Sequence, residues 1–311
     1  MHLLTSCLRA TYRAETPFMM PHDFGGVVQA VVRRALVRAG CASEPECTTE
    51  CRTPGSCGVS VLLEPPLPRP GAHQVLLGPS SPIPPLLPLV EAPRRRVVAA
   101  GEEFEVGLRV LGALPDAEAA LLVRAFEIVP LLDVGPDTLT AIPASVRRPS
   151  PGRVEIVSLH SEGLRNAPLL LSPETRPLRR LDVRFETPAW IEEDGALTLG
   201  LSFDALFRAI HRRLRVTAAL FGELDDAFEE ASEPLFRAAE SIAQTARATH
   251  VVRWRRFERT LGRHLQRSGI MGTASFAGVL EPFAPYLRAA EQIHVGKLSG
   301  EGLGRIACTL R

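Results

Sequence analysis

Apolar and polar residues alternate over Leu3–Tyr12, Phe104–Leu111, Val154–Leu159 and Leu181–Phe185, the period-two signature of half-buried strands. Other stretches follow the helical period. Phe24–Ala39 carries Val27, Val28, Val31, Val32 and Leu36 as one stripe, with Asp23 placed to cap its start and Gly40 to stop it. Asp116–Val129 reads as a second helix and Val59–Leu63 as a short strand. Ten prolines between Glu64 and Pro93 predict an extended excursion with little regular structure. Further along, Phe203–Phe221 is helical and another helix is expected over about Glu233–Arg247. Strands follow at His250–Trp254 and Gly269–Phe276, then a helix from Pro282, a natural first-turn proline, to Ile293. A last strand is expected over Leu303–Leu310.

The second half thus runs strand, helices, strand, strand, helix, strand, which is the split β-α-β order of a ferredoxin-like domain. The first half can be read the same way. The expected fold is α+β, with two tandem ferredoxin-like (RRM-like) domains joined near Ser161–Arg180. Residues 1–165 form the first, with Cys-rich and Pro-rich insertions; residues 166–311 form the second, which carries a C-terminal glycine-rich loop.

Composition adds bounds. The 311 residues are 45% hydrophobic and 23% charged, enough for two cores, and the net charge of +1 supplies no global field toward nucleic acid. Any such contact must be local, and one basic stretch stands out: Gln244–Ile270 holds seven arginines against the single acid Glu258. On composition alone that stretch is a solvated face. The uncharged run Pro70–Val90 is interrupted by Pro79, Pro82, Pro84, Pro85 and Pro88 and cannot be a membrane helix. Leu3–Leu4 is too short for the apolar core of a secretion signal, so a cytoplasmic location without membrane contact is expected. In a reducing compartment the cluster Cys41-x5-Cys47-x3-Cys51-x5-Cys57 is either a structural zinc site or a set of unlinked thiols. Cys7 and Cys308 lie in strand-like segments and are expected to pack.

The densest chemistry lies in His294–Ile306. Gly296, Gly300, Gly302 and Gly304 fall within nine residues, bracketed by Lys297, the only lysine, and Arg305. Glycine-dense turns let backbone N–H groups converge on phosphate oxygens, and an ammonium beside them adds a point contact. The spacing is not G-x-x-x-x-G-K-[ST], and its G-x-G-x-G opens no helix, which argues against nucleotide-hydrolysing and dinucleotide-binding folds. A tight turn alone would account for one or two of the glycines. On the strand at His250–Trp254, alternation puts Arg253 and Arg255 on one face, suited to phosphate, and Trp254 on the other.

Several segments together resemble a known family. Gly269-Ile-Met-Gly272, Phe276-Ala-Gly278, Pro282-Phe283, Glu291, His294-Val-Gly-Lys297 and Gly302-Leu-Gly-Arg305 are similar to the C-terminal signature of the CRISPR precursor-RNA-processing endoribonucleases of the RAMP superfamily. Val183–Pro188, Gly195-Ala-Leu197, Phe203 through Leu214 and Phe221-Gly222 resemble the start of the same domain. The resemblance implies that the partner is CRISPR repeat RNA, gripped along its backbone by the glycine-rich loop (Gly296, Lys297, Gly300, Gly302, Gly304, Arg305), with no direct DNA contact. It implies cleavage without a metal cofactor, by 2′-hydroxyl attack that leaves a cyclic phosphate. Such chemistry needs a base, an acid and a cation for the phosphorane charge. Relatives place a histidine shortly after the first helix, but here the cysteine cluster stands there and contains none. His22 and His73 are the remaining candidates. Gln29 and Trp190 stand where relatives tend to carry basic residues. Two functions follow from the resemblance: a repeat-specific endoribonuclease, or a catalytically silent subunit holding guide RNA in an effector complex.

Overall fold

The computed structural model describes residues 1–20, 23–41, 57–63, 85–90, 96–128, 154–161, 164–193, 196–197, 200–258 and 263–311. They form two compact units, one made of Thr5–Ala167 with Arg255–Leu265, the other of Met1–Leu4, Pro168–Trp254 and Gln266–Arg311. The first holds β1 (Leu4–Ala14), β2 (Phe18–Met20), α1 (Phe24–Gly40), α2 (Gly58–Leu63), β3 (Leu86–Val90), β4 (Arg96–Val98), β5 (Glu103–Leu111), α3 (Asp116–Ile128) and β6 (Val154–His160). After β7 (Ala167–Pro168), the second holds β8 (Arg180–Ala189), β9 (Glu192–Glu193), β10 (Ala196–Leu197), α4 (Phe203–Phe221), α5 (Asp226–Glu230), α6 (Ser232–Ala239), β11 (Ala243–Glu258), β12 (Arg263–Ala277), α7 (Ala284–Ile293) and β13 (Ile306–Leu310). The molecule is mixed α+β with antiparallel sheets. No described helix is long and apolar enough to cross a membrane.

In the N-terminal unit the main sheet is ordered β3-β5-β1-β6. Alternation along β1 and β5 turns Leu8, Ala10, Tyr12, Phe104, Val106 and Leu108 inward. The valine stripe of α1 joins them in one core. Phe104 anchors it, with Phe18 at 5.6 Å and Phe24 at 6.1 Å edge-on and Tyr12 stacked at 5.9 Å.

The C-terminal unit is ordered β11-β12-β8-β13, with α4 between the first and second of its strands in sequence and α7 between the third and fourth. Leu181, Val183 and Phe185 of β8 face the core, while Arg180, Asp182 and Arg184 occupy the alternate positions. Ser202 caps α4, its Oγ accepting from the Ala205 amide at 3.1 Å. Phe203 and Phe207 from that helix each meet Phe283 edge-on at 4.9 Å.

Several expectations are corrected. Val59–Leu63 belongs to a helix, with Val59 and Leu62 buried one turn apart; a five-residue apolar run does not distinguish the two periods. The helix expected over Glu233–Arg247 stops at Ala239, and β11 begins at Ala243 because pairing with β12 overrides local helix preference. The proline-rich stretch contains β3. Pro88 is tolerated there because β3 is the sheet edge, where one flank needs no donor. Asp23 makes no side-chain cap to α1; its carbonyl instead accepts from the amides of Gly26 and Val27. The last strand starts at Ile306 rather than Leu303, because residues 302–305 dock against the end of β8.

Candidate nucleic-acid interface

The glycine-rich loop links α7 to β13 and is fastened to β8 through its backbone. The Lys297 amide donates to the Trp190 carbonyl at 3.0 Å, Gly304 N–H to Pro188 O at 3.0 Å, and Glu186 N–H to Arg305 O at 2.8 Å. The loop also closes on itself, Val295 N–H donating to Gly304 O at 2.8 Å. Thr187, only 1% exposed, completes the seam: its Oγ1 donates to Gly302 O at 3.0 Å and accepts from the Arg305 amide at 2.8 Å.

This docking accounts for three of the four glycines. Gly296, Gly302 and Gly304 have φ of 85°, 78° and 74°, the left-handed region that side chains avoid. A Cβ on Gly304 would lie 1.8 Å from the Val295 carbonyl oxygen, and one on Gly296 2.3 Å from that of Trp190. For Gly296 and Gly304 the first role is close backbone approach, and for Gly302 it is the left-handed turn itself. The amides of Gly304, Lys297 and Val295 are consumed inside the fold, so the cradle for an outside anion is narrower than glycine density suggests. Leu298 sits at φ 63° and ψ 16° and leads into a 3-10 turn, Ser299–Glu301. The amides of Leu298, Ser299 and Gly300 find no backbone acceptor among the described residues. A left-handed residue followed by helical ones aims successive N–H groups to one side, the geometry of an anion-binding nest.

Both flanking cations are ion-paired. Lys297 Nζ donates to Glu192 Oε1, which also accepts from Trp190 Nε1 at 2.9 Å. The ammonium beside it, then the indole N–H, hold the Glu192 carboxyl below the usual range. Arg305 pairs with Glu186 at 2.9 Å, and Arg184 reaches the same carboxylate at 2.6 Å. His294, at the end of α7, has φ 61° and a fully buried ring, while its amide donates to Ala290 O at 3.0 Å. The side chain therefore lies inside the fold.

Arg253 and Arg255 alternate with half-buried Trp254 on β11, both exposed; Arg253 belongs to the C-terminal unit and Arg255 to the N-terminal one. Most of the basic stretch is therefore one long hairpin, β11–β12. His22, His73, Cys47 and Cys51 lie outside the described residues. Cys41 and Cys57, the outer members of the cysteine cluster, are half-buried. The segment between them starts and ends at one place: a Cβ on Gly40 would meet Leu121 at 2.6 Å and Val59 at 3.2 Å, and one on Gly58 would meet Leu121 at 3.4 Å. The sequence reading missed Glu186, Glu192 and the double role of Thr187. Glu186 and Thr187 both fall in the Val183–Pro188 stretch that carries the resemblance, whereas Glu192 had no signal in the sequence.

Comparison with known proteins bears on both halves. A family model described as CRISPR-associated endoribonuclease Cas6 matches residues 183–306, from β8 through the whole glycine loop. A second model, described as an N-terminal domain, matches residues 3–168. Comparison with curated proteins returns no match. Among solved structures, Cas6 of Thermus thermophilus superposes with a TM-score of 0.56 at 14% identity, covering 99% of each chain. A Cas6 product complex gives 0.52 at 16%, covering 98% of this chain and 100% of that one. The chain spans only 46% of a partial Cas6-RT-Cas1–Cas2 complex, with a TM-score of 0.56 at 11% identity, and 29% of the corresponding fuller complex. At such identities the superpositions speak for a shared fold, and the sequence match is what carries kinship. From β8 to the last strand, over residues 183–306, the chain is similar to the CRISPR-associated endoribonuclease Cas6 family, and the solved Cas6 structures share its fold.

Proposed function

We propose that this protein is an endoribonuclease that cuts precursor CRISPR RNA inside each repeat. The observation that carries the reading is the family match over residues 183–306, which includes the complete glycine loop and the strand it docks on. Both units have the order β-α-β-β-α-β with the second strand beside the third and the first between third and fourth, which supports two tandem ferredoxin-like domains. In this reading Lys297 and the Leu298–Gly300 amides meet the RNA backbone, with Arg305, Arg253 and Arg255 adding charge. The bound partner is repeat RNA, with or without a larger CRISPR assembly around it.

The chemistry proposed is metal-independent. A 2′-oxygen attacks the adjacent phosphorus, the bond to the 5′ oxygen breaks, and a cyclic phosphate remains on one product. One group removes the 2′ proton and another protonates the leaving oxygen, work that suits histidine near neutral pH. His22 and His73 are the residues assigned to it. A structural zinc held by Cys41, Cys47, Cys51 and Cys57 is proposed beside the N-terminal core; the meeting of the segment's ends at Leu121 supports a closed site.

One observation favours a second reading. The segment after α1 contains no histidine, which suits a catalytically silent subunit that holds guide RNA. Purified protein incubated with a panel of CRISPR-repeat transcripts, in EDTA, separates the two. A single cut leaving a cyclic phosphate supports the enzyme. Tight binding with intact RNA supports the silent subunit, and neither binding nor cutting refutes both.

A further inference from the structure

Each cation flanking the glycine loop is neutralised by a carboxylate of its own unit, and the two pairs are built differently. Arg305 and Glu186 are 32% and 14% exposed at the side chain and share Arg184 in a three-membered cluster. Lys297 is 60% exposed and its partner Glu192 24%. An ion pair that open to water adds little to stability. Nor does Lys297 need the pair to be positioned, because its amide is already held by the Trp190 carbonyl in an isolated β-bridge. Glu192 differs in this respect: its Oε1 also accepts from Trp190 Nε1 at 2.9 Å, so it keeps a partner if the ammonium leaves.

We propose that Glu192 is an internal competitor for the RNA phosphate at Lys297, so that RNA engages this side of the loop by exchanging one anion for another. This rests on the reading of the loop as an RNA contact. In the free protein the carboxylate occupies the place a phosphate oxygen would take on the ammonium. When RNA arrives, the Lys297 ammonium swings to the phosphate while Glu192 stays on the indole N–H, a fixed negative charge close to the new anion. Two consequences follow. The affinity of the loop is held below what its cation could give, which disfavours RNA that has only backbone to offer. Counterion release is also smaller than the count of cations implies, because the freed carboxylate recruits a cation as the phosphate sheds one.

The test measures equilibrium binding of a labelled CRISPR-repeat RNA, the one the wild type binds most tightly from a panel of repeats, across a salt series. The proteins are wild type, Glu192→Gln, Lys297→Ala and the double variant. Gln keeps an oxygen for Trp190 Nε1, so the local fold is retained, and equal unfolding midpoints verify it. Lys297→Ala is expected to weaken binding about tenfold, the loss of one charge-assisted contact. Glu192→Gln is expected to tighten binding about three- to tenfold at low salt and to steepen the salt slope by about one unit. Both gains should vanish in the Lys297→Ala background. If Lys297→Ala weakens binding but Glu192→Gln leaves it unchanged or weakens it, Glu192 is only a prop and the exchange is refuted while the loop reading survives. If Lys297→Ala binds as wild type with the same salt slope, the loop contact itself is refuted and the exchange with it.

Discussion

Thr187 is the point at which the glycine loop can be tested as a docked element. Its side chain is 1% exposed and spends both hydrogen-bonding capacities on the loop backbone, donating to Gly302 O at 3.0 Å and accepting from the Arg305 amide at 2.8 Å. Thr187→Val keeps the shape and removes the hydroxyl, leaving a buried carbonyl and a part-buried amide without this partner. A buried group stripped of its partner costs about 1–3 kcal/mol, so two together should cost about 2–4 kcal/mol. Thr187→Ser keeps both bonds and loses one methyl, worth about 1 kcal/mol. Urea unfolding at neutral pH reads the difference as a midpoint shift at constant slope. Hydrogen exchange shows where it acts: the amides of Val295 and Gly304, which close the loop on itself and on β8, should lose protection first in the valine variant. If Thr187→Val unfolds within about 0.5 kcal/mol of Thr187→Ser, which is the usual scatter of surface changes, the hydroxyl is not a fastener.

Three further outcomes are expected. Gly304→Ala should destabilise by about 3 kcal/mol, from a left-handed alanine plus a Cβ 1.8 Å from the Val295 carbonyl, and wild-type stability in calorimetry would contradict the close approach. His211 is buried against Phe228, their rings stacked at 4.6 Å, and its pKa is pushed down to about 4 by that burial. The unfolded chain therefore binds a proton more readily between about pH 6.5 and 4, so stability is full above that window and should fall by about 2 kcal/mol on acidification, a dependence that His211→Gln should flatten and urea midpoints at pH 7 and 4.5 would check. Protein purified without chelator should carry close to one zinc per chain, lost in Cys47→Ser; a folded, reduced sample well below stoichiometry would end the zinc proposal.

Strong period-two runs such as Leu181–Phe185 and the valine stripe of α1 were legible because burial on one face leaves a mark in every residue. What failed were segments whose state is settled by neighbours distant in sequence. Ala243–Ala248 is exposed on both faces and carries no alternation; only its place beside β12 makes it a strand. Val59–Leu63 is apolar throughout, and Val59 and Leu62, one turn apart, are the buried positions. In the loop, the glycines and the lysine were visible in the sequence, but the carboxylates paired with its two cations were not. A carboxylate 105 residues away from Lys297 leaves no pattern that a linear reading can find.

The glycine density that first drew attention to the loop therefore has two causes that composition cannot separate. Gly296 and Gly304 let the chain pass close to the Trp190 and Val295 carbonyls, and the docking of the loop uses up the amides of Val295, Lys297 and Gly304. What remains for an anion is a short stretch, Leu298–Gly300, beside one ammonium already held by Glu192. A small contact set can still bind well if it is rigid, because ordering a loose loop at the moment of binding subtracts from affinity. Here that ordering is completed on folding, through Thr187 and four backbone bonds. Affinity at this loop is thus set by two separable quantities, the docking that fixes the amides and the carboxylate that occupies the cation. Changes at Thr187 or Gly304 should lower binding with the salt slope preserved, whereas changes at Glu192 should move the slope with the fold preserved.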